Sequence, residues 1–256
     1  MTVATPPRQA ALLAGKTVLI TGAARRVGAE IARQMHASGA NLVLHYRSSA
    51  EDAAALMREL NQARPGSALC AECDLLEVAQ LPGLVGRALE EFGGLDMLIN
   101  NASTFFPTPV GDITEIDWDD LLGTNLKAPL FLSQAAAPAL AERGGLIINI
   151  ADIHGMRPLR RYPVYSVAKA GLIMLTKSLA RELAPQVRVN AVAPGPVMWP
   201  ADGLAPELQE EIISRTALKR PGSAAEVARA CLFFASEAPH TTGQVIAVDG
   251  GRSIGW

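Results

Sequence analysis

Short, unbroken apolar runs alternate with longer stretches of helical periodicity along nearly the whole chain. Lys16–Thr21 (KTVLIT), Asn41–Tyr46 (NLVLHY), Ala68–Cys73, Leu95–Asn100 (LDMLIN), Gly145–Ala151 (GLIINIA), Val187–Val192 and Gln244–Val248 are the runs. Segments apolar at nearly every position, rather than at every second one, fit parallel strands covered on both faces. Between them, helical spacing predicts helices through about Ala37, to about Gln62, from Pro82 to about Phe92, from about Trp118 to Glu142, from the Tyr165 region to about Ala184, and over Ala224–Ser236. Strand and helix in turn predict an α/β fold, a single doubly wound domain with a seven-stranded parallel sheet and helices on both faces. Residues 1–14 lack usable periodicity and are predicted to be a loose lead, with 15–256 forming the domain. The proline-rich stretch 196–222 breaks the alternation and is predicted to be a substrate lid. On the Tyr165 helix, Val164, Ala168, Leu172, Leu175, Leu179 and Leu183 share one stripe, yet other faces are apolar too, and the preceding helix ends AAAPAL. Two outer helices apolar all round predict a subunit interface and a homotetramer with paired two-fold contacts.

Composition changes this picture little. At 256 residues and 49% hydrophobic, the chain can bury one large core. A formal charge of −2 offers no basic field for nucleic acid or an anionic membrane. The first residues lack a positive region followed by an apolar core, and no apolar run approaches the ~18 residues of a membrane span. A soluble cytoplasmic protein is expected. Cys70 and Cys73 form a CxxC, but a zinc site needs about four ligands and no second pair exists. Ordinary reduced thiols are expected, with no metal; His154, a lone loop histidine near Asp152, is not read as a ligand.

Candidate chemistry gathers at the carboxyl ends of the predicted strands. The first runs into Gly22-Ala23-Ala24-Arg25-Arg26-Val27-Gly28 and then a helix, the setting in which backbone N–H groups cradle a pyrophosphate. The fold expected is therefore the dinucleotide-binding Rossmann type, with Arg26 where a middle glycine would stand. The second strand ends at Tyr46, followed by Arg47 and Ser48. An NAD site wants an acid there and an NADP site an arginine, so the cofactor expected is NADPH/NADP+. Asp74 and Leu75 end the third strand, where a short acid can bond the adenine amine; Asn101, Ala102 and Ser103 end the fourth; Pro194 and Gly195 end the sixth. Asp152 follows the fifth strand, thirteen residues before Tyr165, with Lys169 one helical turn further on. Side chains at i and i+4 share a face. A cation beside a phenol lowers its pKa from about 10 toward a range useful for proton transfer.

Glycine turn, NNAS after the fourth strand, Asn125, YxxxK and PG after the sixth together resemble the short-chain dehydrogenase/reductases over nearly the whole chain. The serine usual at position 152 is an aspartate here and the usual middle glycine is Arg26. With HYRSS, NNASTFFPTP and Tyr162, these departures resemble the pteridine reductase branch. The resemblance implies an NADPH-dependent reductase carrying dihydropterin or dihydrofolate to the tetrahydro form, by hydride transfer from nicotinamide C4. It implies that Lys169 binds the nicotinamide ribose and tunes Tyr165, that Asn125 holds a relay water, and that Asp152 and Tyr165 deliver protons. Ser103 and Phe105 match pterin contacts, the phenyl ring stacking on the pterin; Tyr162 and Arg26 belong to the same set.

Asp152 supports that reading on its own chemistry. A ketoreductase needs a donor where the carbonyl oxygen turns negative, and a carboxylate there would repel it. A pterin instead offers N–H groups to be accepted and a ring C=N that needs a proton. Arg26 could neutralise the carboxylate and meet the pterin's oxygen or a cofactor phosphate. Phe106 reads as a core or rim aromatic; Arg157, Arg160 and Arg161 read as solvated loop charges rather than as contacts to a folate tail. The alternatives are an oxoacyl-type carbonyl reductase and, less favoured because Tyr165 and Lys169 are both present, an idle NADP-binding sensor.

Overall fold

The apolar runs find their hydrogen-bond partners in one another. In the computed structural model, which describes residues 12–199 and 203–254, seven strands form one sheet: β1 (Thr17–Ile20), β2 (Asn41–Tyr46), β3 (Ala68–Glu72), β4 (Met97–Asn100), β5 (Leu146–Ile150), β6 (Arg188–Pro194) and β7 (Val245–Val248). Their order is β3-β2-β1-β4-β5-β6-β7, every pair parallel. The helices are α1 (Arg26–Ala37), α2 (Ala50–Ala63), α3 (Leu81–Phe92), α4 (Glu115–Leu122), α5 (Ala128–Glu142), α6 (Pro163–Glu182), α7 (Pro206–Ser214) and α8 (Ala224–Ser236).

Strand pleating divides each apolar run between two cores. Val18 and Ile20 of β1 join Ile31 and Met35 of α1 and Phe234 of α8 on one face. Leu19, between them, joins Leu84 and Val85 of α3 and Leu132 and Leu140 of α5 on the other. Each such side chain contributes about 1.5–3 kcal/mol by leaving water, so covering both faces holds the sheet. The chain steps outward from β1 to β3 and then returns to place β4 on the far side of β1. That reversal opens a crevice above the carboxyl ends of β1 and β4, the place where ligands bind in open α/β sheets.

Two local differences from the sequence expectation have physical causes. The lead reaches less far than expected: Leu13 is buried and its N–H donates to Ser38 O at 2.8 Å, while residues 1–11 lie outside the described residues. The single helix expected from Trp118 to Glu142 is two helices joined by a π-turn, Gly123–Lys127, which holds Asn125 at its centre. Such turns are wider than an α-turn by one residue and recur at functional sites. Periodicity is blind to one residue of slippage. Within 196–222 the described residues form only α7. No helix among the described residues is long and apolar enough to cross a membrane.

Candidate active site

The glycine turn is built by hydrogen bonds that sequence spacing does not display. Thr21 ends β1, and its hydroxyl accepts from Asn101 N at 2.9 Å and Ala102 N at 3.0 Å. The Asn101 amide donates back to Thr21 O and Gly22 O. This stitching draws the β4 end against the turn. Gly22 has φ +60°, and a Cβ at Gly28 would lie 2.2 Å from Gly22 O and 2.6 Å from the Asn101 amide nitrogen, so α1 can approach only without a side chain there. His45, wholly buried in β2, secures the turn from beneath. Its Nδ1 accepts from Gly22 N at 3.1 Å and its Nε2 lies 3.0 Å from Cys73 O. Because Gly22 must donate, the network assigns a neutral ring with the proton on Nε2. Burial lowers its pKa below the usual histidine value.

Arg26 stands in the left-handed region at φ +56°, the conformation that a glycine would adopt without strain. Its Nη2 donates to Trp199 O at 2.7 Å. The expected pairing with Asp152 is not seen: among the described residues no ion pair joins them, because the guanidinium reaches across to the segment after β6. Arg47 and Ser48 are exposed beyond β2, Tyr46 donates to Glu72 at 3.2 Å, and Asp74 accepts from Leu76 N at 3.0 Å.

Further along the crevice, Asp152 leaves β5 and caps a short turn, its Oδ1 accepting from His154 N at 2.7 Å. The turn lies directly on α6, since a Cβ on Gly155 would meet the Lys169 backbone at 2.7 Å. This brings the Tyr165 hydroxyl to Asp152 Oδ2, to which it donates at 2.8 Å. Lys169 is 2% exposed, its Nζ donates to Ile150 O at 3.0 Å, and it lies 5.7 Å from the centroid of the Tyr165 ring. The expectation that lysine lowers the phenol pKa is reversed. Burial first and the Asp152 carboxylate second hold Tyr165 well above its ordinary value, so the group is a phenol ready to donate. Burial brings Lys169 down to about 8, against the attraction of Asp152.

Phe105 stacks on Tyr162 with centroids 4.6 Å apart and meets Tyr165 edge-on at 4.8 Å. Its own side is half open, while Phe106 packs with Leu121 and Val164 as a core residue. A cavity of about 800 Å³ is lined by every residue expected to touch cofactor or substrate, from Gly22 through Tyr46, Asp74, Leu75 and Phe105 to Pro194 and Gly195. Asn125 alone of the expected set stands behind the wall. It is fully buried, its amide donates to Thr104 O and Leu121 O, and its oxygen accepts from Ser103 at 2.5 Å. Arg157, Arg160 and Arg161 are exposed and outside the wall. No group of three or more potential metal ligands occurs among the described residues, and the three cysteines are unpaired.

Sequence reading missed His45 and a buried relay behind the site: Asn100 donates to Asn149 at 2.8 Å, and Asn149 to Thr176 of α6 at 2.9 Å. A signal was present in each case. A polar residue inside an otherwise apolar run must find a partner when buried.

The family described as Enoyl-(Acyl carrier protein) reductase matches residues 22–253. Pteridine reductase 1 of Leishmania tarentolae is 38% identical over 277 residues, covering 92% of this chain and 96% of that protein. The 3-oxoacyl-(acyl-carrier-protein) reductase FabG of Staphylococcus aureus (strain Mu50) is 36% identical over 240 residues, with 92% and 97% covered. Among solved structures, a blue fluorescent protein from a metagenomic library in complex with NADPH superposes with a TM-score of 0.88 at 32% identity, covering 94% of this chain and 98% of that one.

Proposed function

The chain belongs to the short-chain dehydrogenase/reductase family, and from that premise we propose that it is an NADPH-dependent reductase of pteridines, taking a dihydropterin or dihydrofolate to the tetrahydro form. The observation that carries the reading is the 2.8 Å hydrogen bond from Tyr165 to Asp152. It sets a carboxylate where a carbonyl reductase needs a donor, and a pterin's N–H groups suit an acceptor.

The residues present fit the cofactor. The cradle left by Gly22 and Gly28, with no room for a Cβ, receives a pyrophosphate. Arg47 and Ser48, with no acid beside them, receive the ribose 2′-phosphate; Val27, Asp74, Leu75, Asn101, Ala102, Pro194 and Gly195 complete the wall. The bound nicotinamide supplies the hydride. Tyr165, kept protonated by burial, gives a proton to the substrate side of the cavity and is re-protonated through Asp152. Lys169 holds the nicotinamide ribose and steadies the phenolate left behind. Phe105 and Tyr162 offer ring faces to the pterin, while Ser103, backed by Asn125, orients it. Residues 196–222 act as the lid, and Arg26 holds its Trp199 carbonyl.

An oxoacyl-type carbonyl reductase is the second reading, favoured by the FabG relatives; the carboxylate of Asp152 opposes it. Steady-state rates with NADPH on a dihydropterin, dihydrofolate and an acetoacetyl thioester separate the two. Turnover of either pterin above the thioester is expected, and preference for the thioester would overturn the reading. The remaining part is a homotetramer in the cytoplasm. Exposed Leu130, Val167 and Met174 on α5 and α6 support the association, and unpaired cysteines support a reducing compartment. Light scattering should return about four times the 27.0 kDa chain.

A further inference from the structure

Away from the catalytic cluster the cavity wall carries a second group of charges. Arg252, on the turn after β7, faces Arg215 and Glu211 at the end of α7, beside the apolar Leu208 and Ile212. The Glu211 carboxylate holds Arg215 at 2.5 Å. Arg252 gives one hydrogen to Ile212 O at 3.2 Å, an uncharged acceptor, and a guanidinium carries five. Two cations thus meet one anion, and while the Arg215–Glu211 pair is exposed, Arg252 is half-buried, where an added anion gains more than in open water. Burial and then Arg215 lower the Arg252 pKa, with Glu211 opposing, the sign of a cation short of partners.

The support is rigid. Asp249 accepts from Gly251 N at 2.9 Å and Ser253 N at 2.7 Å, and Leu218 N donates to Gly250 O at 3.0 Å. Arg252 therefore projects from a fixed turn rather than from a swinging tail.

We propose that Arg252 and Arg215 form an anion subsite at the α7 end of the cavity, selecting substrates that carry a carboxylate or phosphate tail beyond the group being reduced. The inference rests on the reductase reading above and names its substrate class. A carboxylate or phosphate seated there engages the planar fork of Arg252 with two parallel hydrogen bonds. Dihydrofolate brings carboxylates, a coenzyme A thioester brings phosphates, and a tailless dihydropterin brings neither.

The test is kcat/KM with NADPH for dihydrofolate, tailless dihydropterin and acetoacetyl-coenzyme A, in the wild type, Arg252→Gln and Arg252→Lys. The tailed-to-tailless ratio should fall about ten-fold in Arg252→Gln, through KM rather than kcat, and recover in part in Arg252→Lys. Raising the salt concentration should lower the same ratio in the wild type. An equal change for tailed and tailless pterins would overturn the subsite and leave the pteridine reading standing. An arginine-dependent KM for the thioester, with no pterin turned over, would support the subsite and overturn the pteridine reading. Calorimetry of the NADPH-loaded protein with 4-aminobenzoylglutamate and with phosphopantetheine reads binding apart from turnover. Heat that disappears in Arg252→Gln supports the subsite, and no binding of either probe overturns it.

Discussion

The two ends of the crevice are built by different means. At the glycine turn, position is set by backbone: Thr21, Asn101 and His45 bond to main-chain atoms of neighbouring strands, and Gly28 leaves no space for adjustment. At the other end, Phe105 and Met198 are exposed, and the segment after β6 is met by the side chain of Arg26 at Trp199 O. Between them stand Asp152, Tyr165 and Lys169, fixed as firmly as the first end. A rigid cradle and a fixed proton site beside an adaptable wall let one reaction serve many substrates. The two relatives of similar identity, one acting on pteridines and one on oxoacyl groups by name, suit that division.

Perturbations should separate the two ends. Asp152→Ala should have the largest effect, lowering dihydropterin turnover roughly 10²–10⁴-fold with little change in NADPH affinity. Asp152→Ser restores a hydroxyl donor and should stay poor on dihydropterin while gaining activity on a small ketone. Wild-type pterin rates in Asp152→Ser would remove the carboxylate from the mechanism. Next, Arg47→Ala should weaken NADPH about ten- to hundred-fold and barely touch NADH, read as Kd by fluorescence titration. Phe105→Ala, at the adaptable end, should raise the dihydropterin KM about five-fold and leave the Kd for NADPH unaltered.

The smallest effect is a pH dependence. His45 is neutral in the folded chain and its pKa is lowered by burial, so the unfolded chain binds the extra proton. Its contribution is complete above the ordinary value near 6.5 and is lost as pH falls from there toward the folded pKa, at no more than about 1.4 kcal/mol per pH unit. His36 shifts in the same direction, also chiefly through burial. A His45→Gln variant, whose amide can accept from Gly22 and donate to Cys73, isolates the effect. Its Tm between pH 7.5 and 5.5 should change less than the wild type's, and identical slopes would clear His45.

The sheet was legible because its signal is redundant. β1 and β5 are buried at every position and apolar at all but Thr17 and Asn149, and that burial leaves no other arrangement for the backbone. The site's membership was legible too, since strand ends in a parallel sheet converge on one crevice. What spacing could not supply was polarity and phase. YxxxK places a cation near a phenol but reveals neither the burial of that phenol nor the carboxylate of Asp152 against it, which in that order raise the Tyr165 pKa instead of lowering it. Arg26 at a glycine's position gives no hint that its fork reaches Trp199. His45 within NLVLHY resembles a strand residue until its two ring partners, twenty-three and twenty-eight positions away, are known.

The π-turn at Gly123–Lys127 works as a phase shifter in a single rod. One extra residue in the spiral turns everything beyond it by about 100°. Before the turn, Leu121 of α4 faces Val164 and Tyr165 of α6; after it, Leu132, Ala136 and Leu140 of α5 face the sheet. A uniform helix of the same composition would keep one heading and serve one wall. Removing one residue from this turn is therefore a small edit with a large angular consequence, and it would make the proton site and the sheet compete for the same side of the rod.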